Sequence, residues 1–295
     1  MNRHRLLPLF ASHLHSCRTR KNLESVLQEV KNYCTQYVRR VRRSRILDLE
    51  MCQLAKSLEK RDIMYAVLKG PILAHAIYDN PGKRDYADID ILVQKSDTDA
   101  VSNILKKQGY IQGKFDKEKI ELVRAPRKDV LWCSIYIHQL YPFRKLVNQH
   151  LCTIEIQTKF FPQYGNTNQN IWRIDLSTTA ECWQTLRSTE VNGRQIFTLN
   201  WKYFLLQLCL HAYMDEVSIE TIVYEKGVRL RNYCDIREIL KLKGDEINLE
   251  KFVQLVQTTG SNKPIYYILA NLSDIYSDMR EIVSLVLEQI RPKSM

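Results

Sequence analysis

A chain of 295 residues, 45% hydrophobic and 26% charged, is long enough for one large core or two smaller ones and too apolar for a disordered protein. The densest apolar run, residues 204–214, is much shorter than the ~20 residues that span a bilayer, so no membrane association is expected. The net charge of +11 is uneven: residues 1–45 hold 11 Lys/Arg against 2 acids, and the other 250 residues hold 33 against 31.

The excess charge therefore belongs to an N-terminal arm ending in "RRVRRSR" (39–45) and not to the body of the protein. Such an arm can bind a polyanion; a solvated helix face is the plainer reading, since no aromatic residues interleave with the arginines. At the start, His13 and His15 interrupt any signal-peptide core. The eight cysteines show no CxxC pair or other metal-like spacing, and several lie within apolar runs. A reduced, cytoplasmic protein is expected.

In chain order, Leu23, Val26, Val30, Cys34, Tyr37, Val38, Val41, Ile46, Leu49, Met51, Leu54 and Leu58 recur at helical spacing, so residues 22–60 read as one long helix or two shorter ones. "DIMYAVLK" (62–69) is strand-like, Gly70 breaks it, and Pro71 suits the first turn of a helix running to about Tyr78. "DIDILV" (88–93) is a second strand. Ser96 and Asp99 have the spacing of a capping box, for a helix stopping at Gly109. Three β-rich pieces follow, at 119–125, 130–140 and 151–161, and "EVNGRQIFTL" (190–199) has the Asn-Gly turn of a hairpin. From residue 200 the pattern is helical, over 200–214, 226–242, 248–259 and 264–290. The order suggests an N-terminal helical arm (1–60), an α+β core (61–175) and a mainly helical C-terminal domain (176–295).

Strand alternation puts Asp88 and Asp90 on one face and Ile89 and Ile91 on the other. Two carboxylates so placed repel unless a cation offsets them, and Mg²⁺ is held by one or two carboxylates together with substrate phosphates. With 33 acids in 295 residues, acid-x-acid pairs arise several times by chance, so the pair gains weight from its surroundings. A strand-Gly-helix turn precedes it, Arg84 lies four residues before Asp88, and Glu155 stands in another alternating strand, "CTIEIQ". Three carboxylates with a nearby Lys and Arg are equipment for metal-assisted phosphoryl transfer.

With these residues in view, "VLKG…L…IY…R…DIDILV…A…L…GY" resembles the uncharacterised nucleotidyltransferase family of the DNA polymerase β superfamily. The likeness is clearest over 63–110 and continues through "IEIQ" into 205–240, where the family has a His-containing helix and then a Leu-x-x-x-x-Asp-Ile helix. The resemblance implies a minimal polymerase-β-type core, a small mixed sheet with flanking helices, joined by N-terminal helices and a helical C-terminal domain. It implies transfer of an NMP from an NTP, ATP first, to a hydroxyl acceptor, with two Mg²⁺ (or Mn²⁺) ions held by Asp88, Asp90 and Glu155. Lys69 and Gly70 fall on the phosphate-cradling turn and Arg84 near the phosphates. His211, Arg231 and Asp235 fall where acceptor or nucleotide contacts would lie. The acceptor is left open between a small molecule, a peptide or protein, and a tRNA 3′ end. Where the family commonly has His-Trp after the third carboxylate, this chain has Gln157 and Thr158, and the alternative is a catalytically silent nucleotide- or RNA-binding module.

Overall fold

A computed structural model of the protein describes residues 28–80, 82–137, 139–159, 180–217 and 229–292. Of these, 28–159 and 180–199 belong to one compact unit and 200–292 to another. The fold is mixed α+β.

The first unit opens with α1 (Gln28–Glu59), a single helix of 32 residues. Its buried residues, Cys34, Tyr37, Leu47, Met51, Leu54 and Leu58, fall three or four apart along most of the helix and make one stripe. That stripe packs on the strands His150–Gln157 and Arg194–Thr198 and on the helix Thr98–Lys107. Val38 and Leu49, expected on the apolar face, are instead exposed, because at 100° per residue they fall outside the stripe.

Eight strands form one sheet in the order β4-β3-β5-β6-β2-β1-β8-β7. At its centre β1 (Tyr65–Leu68) runs antiparallel to β2 (Ile89–Val93), and β2 runs parallel to β6 (His150–Gln157). Every residue of β1 and β2 is buried, as expected of strands covered on both faces. β3 (Ile111–Asp116), β4 (Glu121–Arg124) and β5 (Phe143–Val147) extend one side. On the other side, after the short helix α5 (Ala180–Gln184), β8 (Arg194–Thr198) pairs with β1 and β7 (Arg187–Val191) closes the edge. The Asn192-Gly193 turn has φ of 50° and 74°, the mirror-image hairpin turn expected from the dipeptide.

Several elements differ from expectation. The apolar run 130–140 is not a strand: α4 (Arg127–Trp132) leads into a π-helical turn, Cys133–Ile137, and Gln139 alone bridges to Gln157. Its β-branched and aromatic residues favour a strand, but context decides such propensities, and Leu131, Trp132, Ile135 and Tyr136 are exposed. The Ser96–Asp99 box does not form. A 3₁₀ turn, Lys95–Asp97, precedes α3 (Thr98–Lys107), and Thr98 Oγ1 donates to the Lys95 carbonyl at 2.9 Å. Gly109, at φ 86°, does follow the end of the helix.

The second unit contains α6 (Trp201–Val217), α7 (Leu230–Ile247), α8 (Leu249–Thr258), α9 (Asn262–Ile275) and α10 (Arg280–Ile290). The stretch expected as one helix, 264–290, is two, broken by an extended Tyr276 and a 3₁₀ turn at Ser277–Met279. α6 packs against α7 and α9. None of the described helices is long and apolar enough to cross a membrane.

Candidate active site

The site is built where β1 stops. Lys69, at φ 53° and ψ −117°, turns the chain into α2 (Gly70–Ala76), which has Pro71 in its first turn. A Cβ on Gly70 would lie 2.5 Å from Tyr86 Cβ, so the turn and the loop before β2 touch as only glycine allows. α1 holds that loop from behind. The Tyr86 hydroxyl donates to the buried Asp48 carboxylate, whose other oxygen lies 3.1 Å from His75 Nε2. Arg43 Nη2 donates to the Ala87 carbonyl at 3.2 Å, and Arg40 Nε lies 3.8 Å from Asp85 Oδ2. Arg84 is buried in the same loop, its Nη1 donating to the Asp85 carbonyl at 2.7 Å.

The loop delivers Asp88, half-buried, to the start of β2. Asp90 pairs with Leu68 of β1 on one side and with Glu155 of β6 on the other. Directly opposed residues on adjacent strands share a face, so the register brings Asp90 beside Glu155, with Asp88 one step along the same face. Lys69 Nζ lies 3.2 Å from Asp90 Oδ2. Gln157 Nε2 donates to Asp90 Oδ1 at 2.8 Å, and Gln139 Nε2 to Glu155 Oε2 at 2.7 Å.

The electrostatics follow from three carboxylates crowded out of water around one ammonium. Burial raises the Asp90 carboxyl above its usual range; Lys69 opposes the shift and Asp88 adds to it. Burial, then the charges of Asp90 and Asp88, push Glu155 up to about 7, with Lys69 and the Gln139 amide opposing. Burial alone would lower the Lys69 ammonium, but the charges of Asp90, Asp88 and Glu155 outweigh it and hold the group above its ordinary value.

Among the described residues no three or more His, Cys, Asp or Glu side chains are placed so that they could hold a metal ion; Asp90 meets Lys69 with one oxygen and Gln157 with the other. The residues nevertheless fit a divalent cation. Hard oxygen donors lie on one face, one lysine leaves their charge under-compensated, and the buried Gln157 Oε1 has no hydrogen-bond partner among the described residues.

Asp88, Asp90, Glu155, Lys69, Gly70 and Arg84 thus all belong to the first unit. The other sequence-expected residues lie in the helical unit. His211 Nε2 stands 3.7 Å from Asp215 Oδ2, which also accepts from Arg229 Nη1 at 2.9 Å. Arg231 is half-buried and Asp235 buried on α7.

From the sequence Gln157 stands out only as the replacement for the family's His; that it bonds Asp90, two residues past Glu155 on one strand face, is shown by the structure. Gln139 was hidden in a segment read as a strand. Gln157→Leu is expected to lower about tenfold to a hundredfold any turnover that uses Asp90, by freeing that carboxylate. The melting temperature should change little. Turnover within twofold of wild type would show that the amide does not orient Asp90.

A family profile described as "Uncharacterised nucleotidyltransferase" matches residues 1–277, including stretches at both ends where the sequence alone gave no visible likeness. No curated protein sequence matches the chain. Among solved structures, the chain is similar to an antigenic nucleotidyltransferase-like protein from Paracoccidioides brasiliensis, with TM-score 0.44 and 15% identity over 82% of this chain and 92% of that one. A second similar structure is the antibiotic-resistance factor ANT(2″)-Ia, with TM-score 0.38 and 13% identity over 71% of this chain and 90% of that one.

Proposed function

Because the chain belongs to the uncharacterised nucleotidyltransferase family, we propose that it moves a nucleoside monophosphate from an NTP, ATP first, to a hydroxyl-bearing acceptor. The observation that carries this reading is the pairing of Asp90 with Glu155 across β2 and β6, with the Lys69 ammonium 3.2 Å from Asp90.

In this reading Asp88, Asp90 and Glu155 hold Mg²⁺. The ion supplies charge neutralisation at the phosphates and lowers the barrier to attack by an oxygen nucleophile. Lys69 and the backbone N–H groups at Gly70 contact the triphosphate, and Arg84 stiffens the loop that presents Asp88 and adds positive charge behind it. Glu155 accepts the proton of the acceptor hydroxyl. The acceptor oxygen forms a bond to the α-phosphorus as the bond to the β-phosphate oxygen breaks, and pyrophosphate leaves. His211, Arg231 and Asp235 keep acceptor or nucleotide contacts as the role that the family resemblance implies for them.

The test is incubation with each α-labelled NTP and Mg²⁺ in the presence of small-molecule, peptide and RNA acceptor pools. The expected result is pyrophosphate release and an acceptor heavier by one NMP by mass spectrometry. NTP-dependent thermal stabilisation without pyrophosphate from any pool would leave a silent nucleotide-binding module instead.

A further inference from the structure

The family resemblance implies two divalent ions at the acidic face, but the chain keeps a cation of its own there. Leu68, the last residue of β1, stands opposite Asp90 and shares its face, so continued alternation would send the next side chain, Lys69, to the other face of the sheet. The turn at φ 53° and ψ −117° breaks that alternation, and the Lys69 ammonium ends 3.2 Å from Asp90 Oδ2. The lysine side chain is only 17% exposed, and its charge acts on Glu155 as well as on Asp90. A strained turn thus holds one ammonium among the carboxylates.

We propose that the Lys69 ammonium takes the place of one of the two divalent ions, so that the site binds a single Mg²⁺ or Mn²⁺ beside a fixed positive charge. This rests on the nucleotidyl-transfer reading, whose metal complement it specifies. Charge is the first argument. Asp88, Asp90 and Glu155 with one ammonium leave two negative charges, which one divalent cation cancels and two would exceed before any nucleotide binds. Coordination is the second. Three of the six carboxylate oxygens already face donors of this chain: Asp90 Oδ2 meets Lys69, Asp90 Oδ1 accepts from Gln157, and Glu155 Oε2 accepts from Gln139. The oxygens that remain, on Asp88 and Glu155, suit one Mg²⁺, which takes one or two carboxylates together with substrate phosphates. A second ion on Asp90 would compete with Lys69 for Oδ2. The ammonium has three N–H donors, so its bond to Asp90 leaves others for a phosphate oxygen, the link that a second ion would otherwise make.

The experiment counts the Mn²⁺ ions bound by the full-length protein without nucleotide, from the electron paramagnetic resonance signal of the unbound ion during a titration. Wild type is expected to bind one. Lys69→Met should bind two, because the lost charge and the freed Asp90 oxygen admit the second ion. Lys95→Met, which removes an exposed lysine beyond the other end of β2, should stay at one. Two ions on wild type overturn the proposal, and so does no bound ion. A count of one on Lys69→Met overturns it as well, as does a count of two on Lys95→Met, which would mean bulk charge. Circular dichroism shows which variants fold; if Lys69→Met does not, the wild-type count still decides between one ion and two. Pyrophosphate release, assayed separately, keeps the two readings apart. Two ions on a wild type that releases pyrophosphate would remove this proposal and leave transfer standing, whereas one ion without pyrophosphate from any acceptor pool would do the reverse.

Discussion

Asp90→Asn is expected to cut nucleotidyl transfer by about a thousandfold or more while leaving a folded protein. Asparagine keeps the shape of the side chain and its pairing in β2, opposite Leu68 and Glu155. What it removes is the charge that meets Lys69 at 3.2 Å and that, with Asp88 and Glu155, makes this face attractive to a cation. The effect on stability has two opposed parts. Lys69 loses its nearest counter-charge, but Asp88 and Glu155 still hold it, and the repulsions of Asp90 with Asp88 and with Glu155 both disappear. The two parts offset, so the melting temperature should move by no more than about 4 °C, the shift that ~1 kcal/mol produces in a protein of this size. Pyrophosphate release and a circular-dichroism melt on the same preparation decide it. Near-wild-type turnover would remove Asp90 from the chemistry.

Gly70→Ala should damage stability and activity together. The added Cβ would lie 2.5 Å from Tyr86 Cβ, and neither atom can swing away because both are fixed by backbone position. Relief requires the loop to move, yet the Tyr86 ring is tied to Asp48, and the next residue, Ala87, is tied to Arg43. Overpacking of this kind costs about 1–3 kcal/mol. Asp88 is two residues beyond Tyr86, so the displacement reaches the acidic strand. A melting temperature lowered by roughly 3–10 °C and turnover down at least about tenfold are expected. A double-mutant cycle with Tyr86→Gly provides the check, since without the Tyr86 Cβ the alanine should add little further destabilisation. Additive effects would mean that the two positions do not press on each other.

Much of the site was legible because it depends on local rules. Strand alternation alone places Asp88 and Asp90 together and sets Glu155 against its isoleucine neighbours. Gly70 and Pro71 mark the turn from β1 into α2. What no local pattern contains is which strands lie side by side. Asp90 meets Glu155 through parallel pairing of segments more than 60 residues apart, with β3, β4 and β5 between them in sequence. β3 escaped notice because Gly113 interrupts an otherwise alternating "IQGKFD", and β5 because "FRKLV" does not alternate. The pairing of Gln139 with Glu155 depended on a π-helical turn that β-favouring residues disguise. The arginines of α1 misled in another way: their number was plain, but which of them face the loop at 85–87 follows only from how the helix lies on the sheet.

The turn at Lys69 also bears on how this sequence can change. A side chain at φ 53° and ψ −117° strains the backbone by about 1–3 kcal/mol, and here that side chain carries the ammonium that meets Asp90. Glycine would relax the turn, but it would also leave Asp88, Asp90 and Glu155 without the ammonium that offsets them. Uncovering a buried charge in this way costs about 3–5 kcal/mol, more than the strain returns. The strained turn is therefore held in place by the charge it positions, and a search for more heat-resistant variants would gain nothing from glycine there.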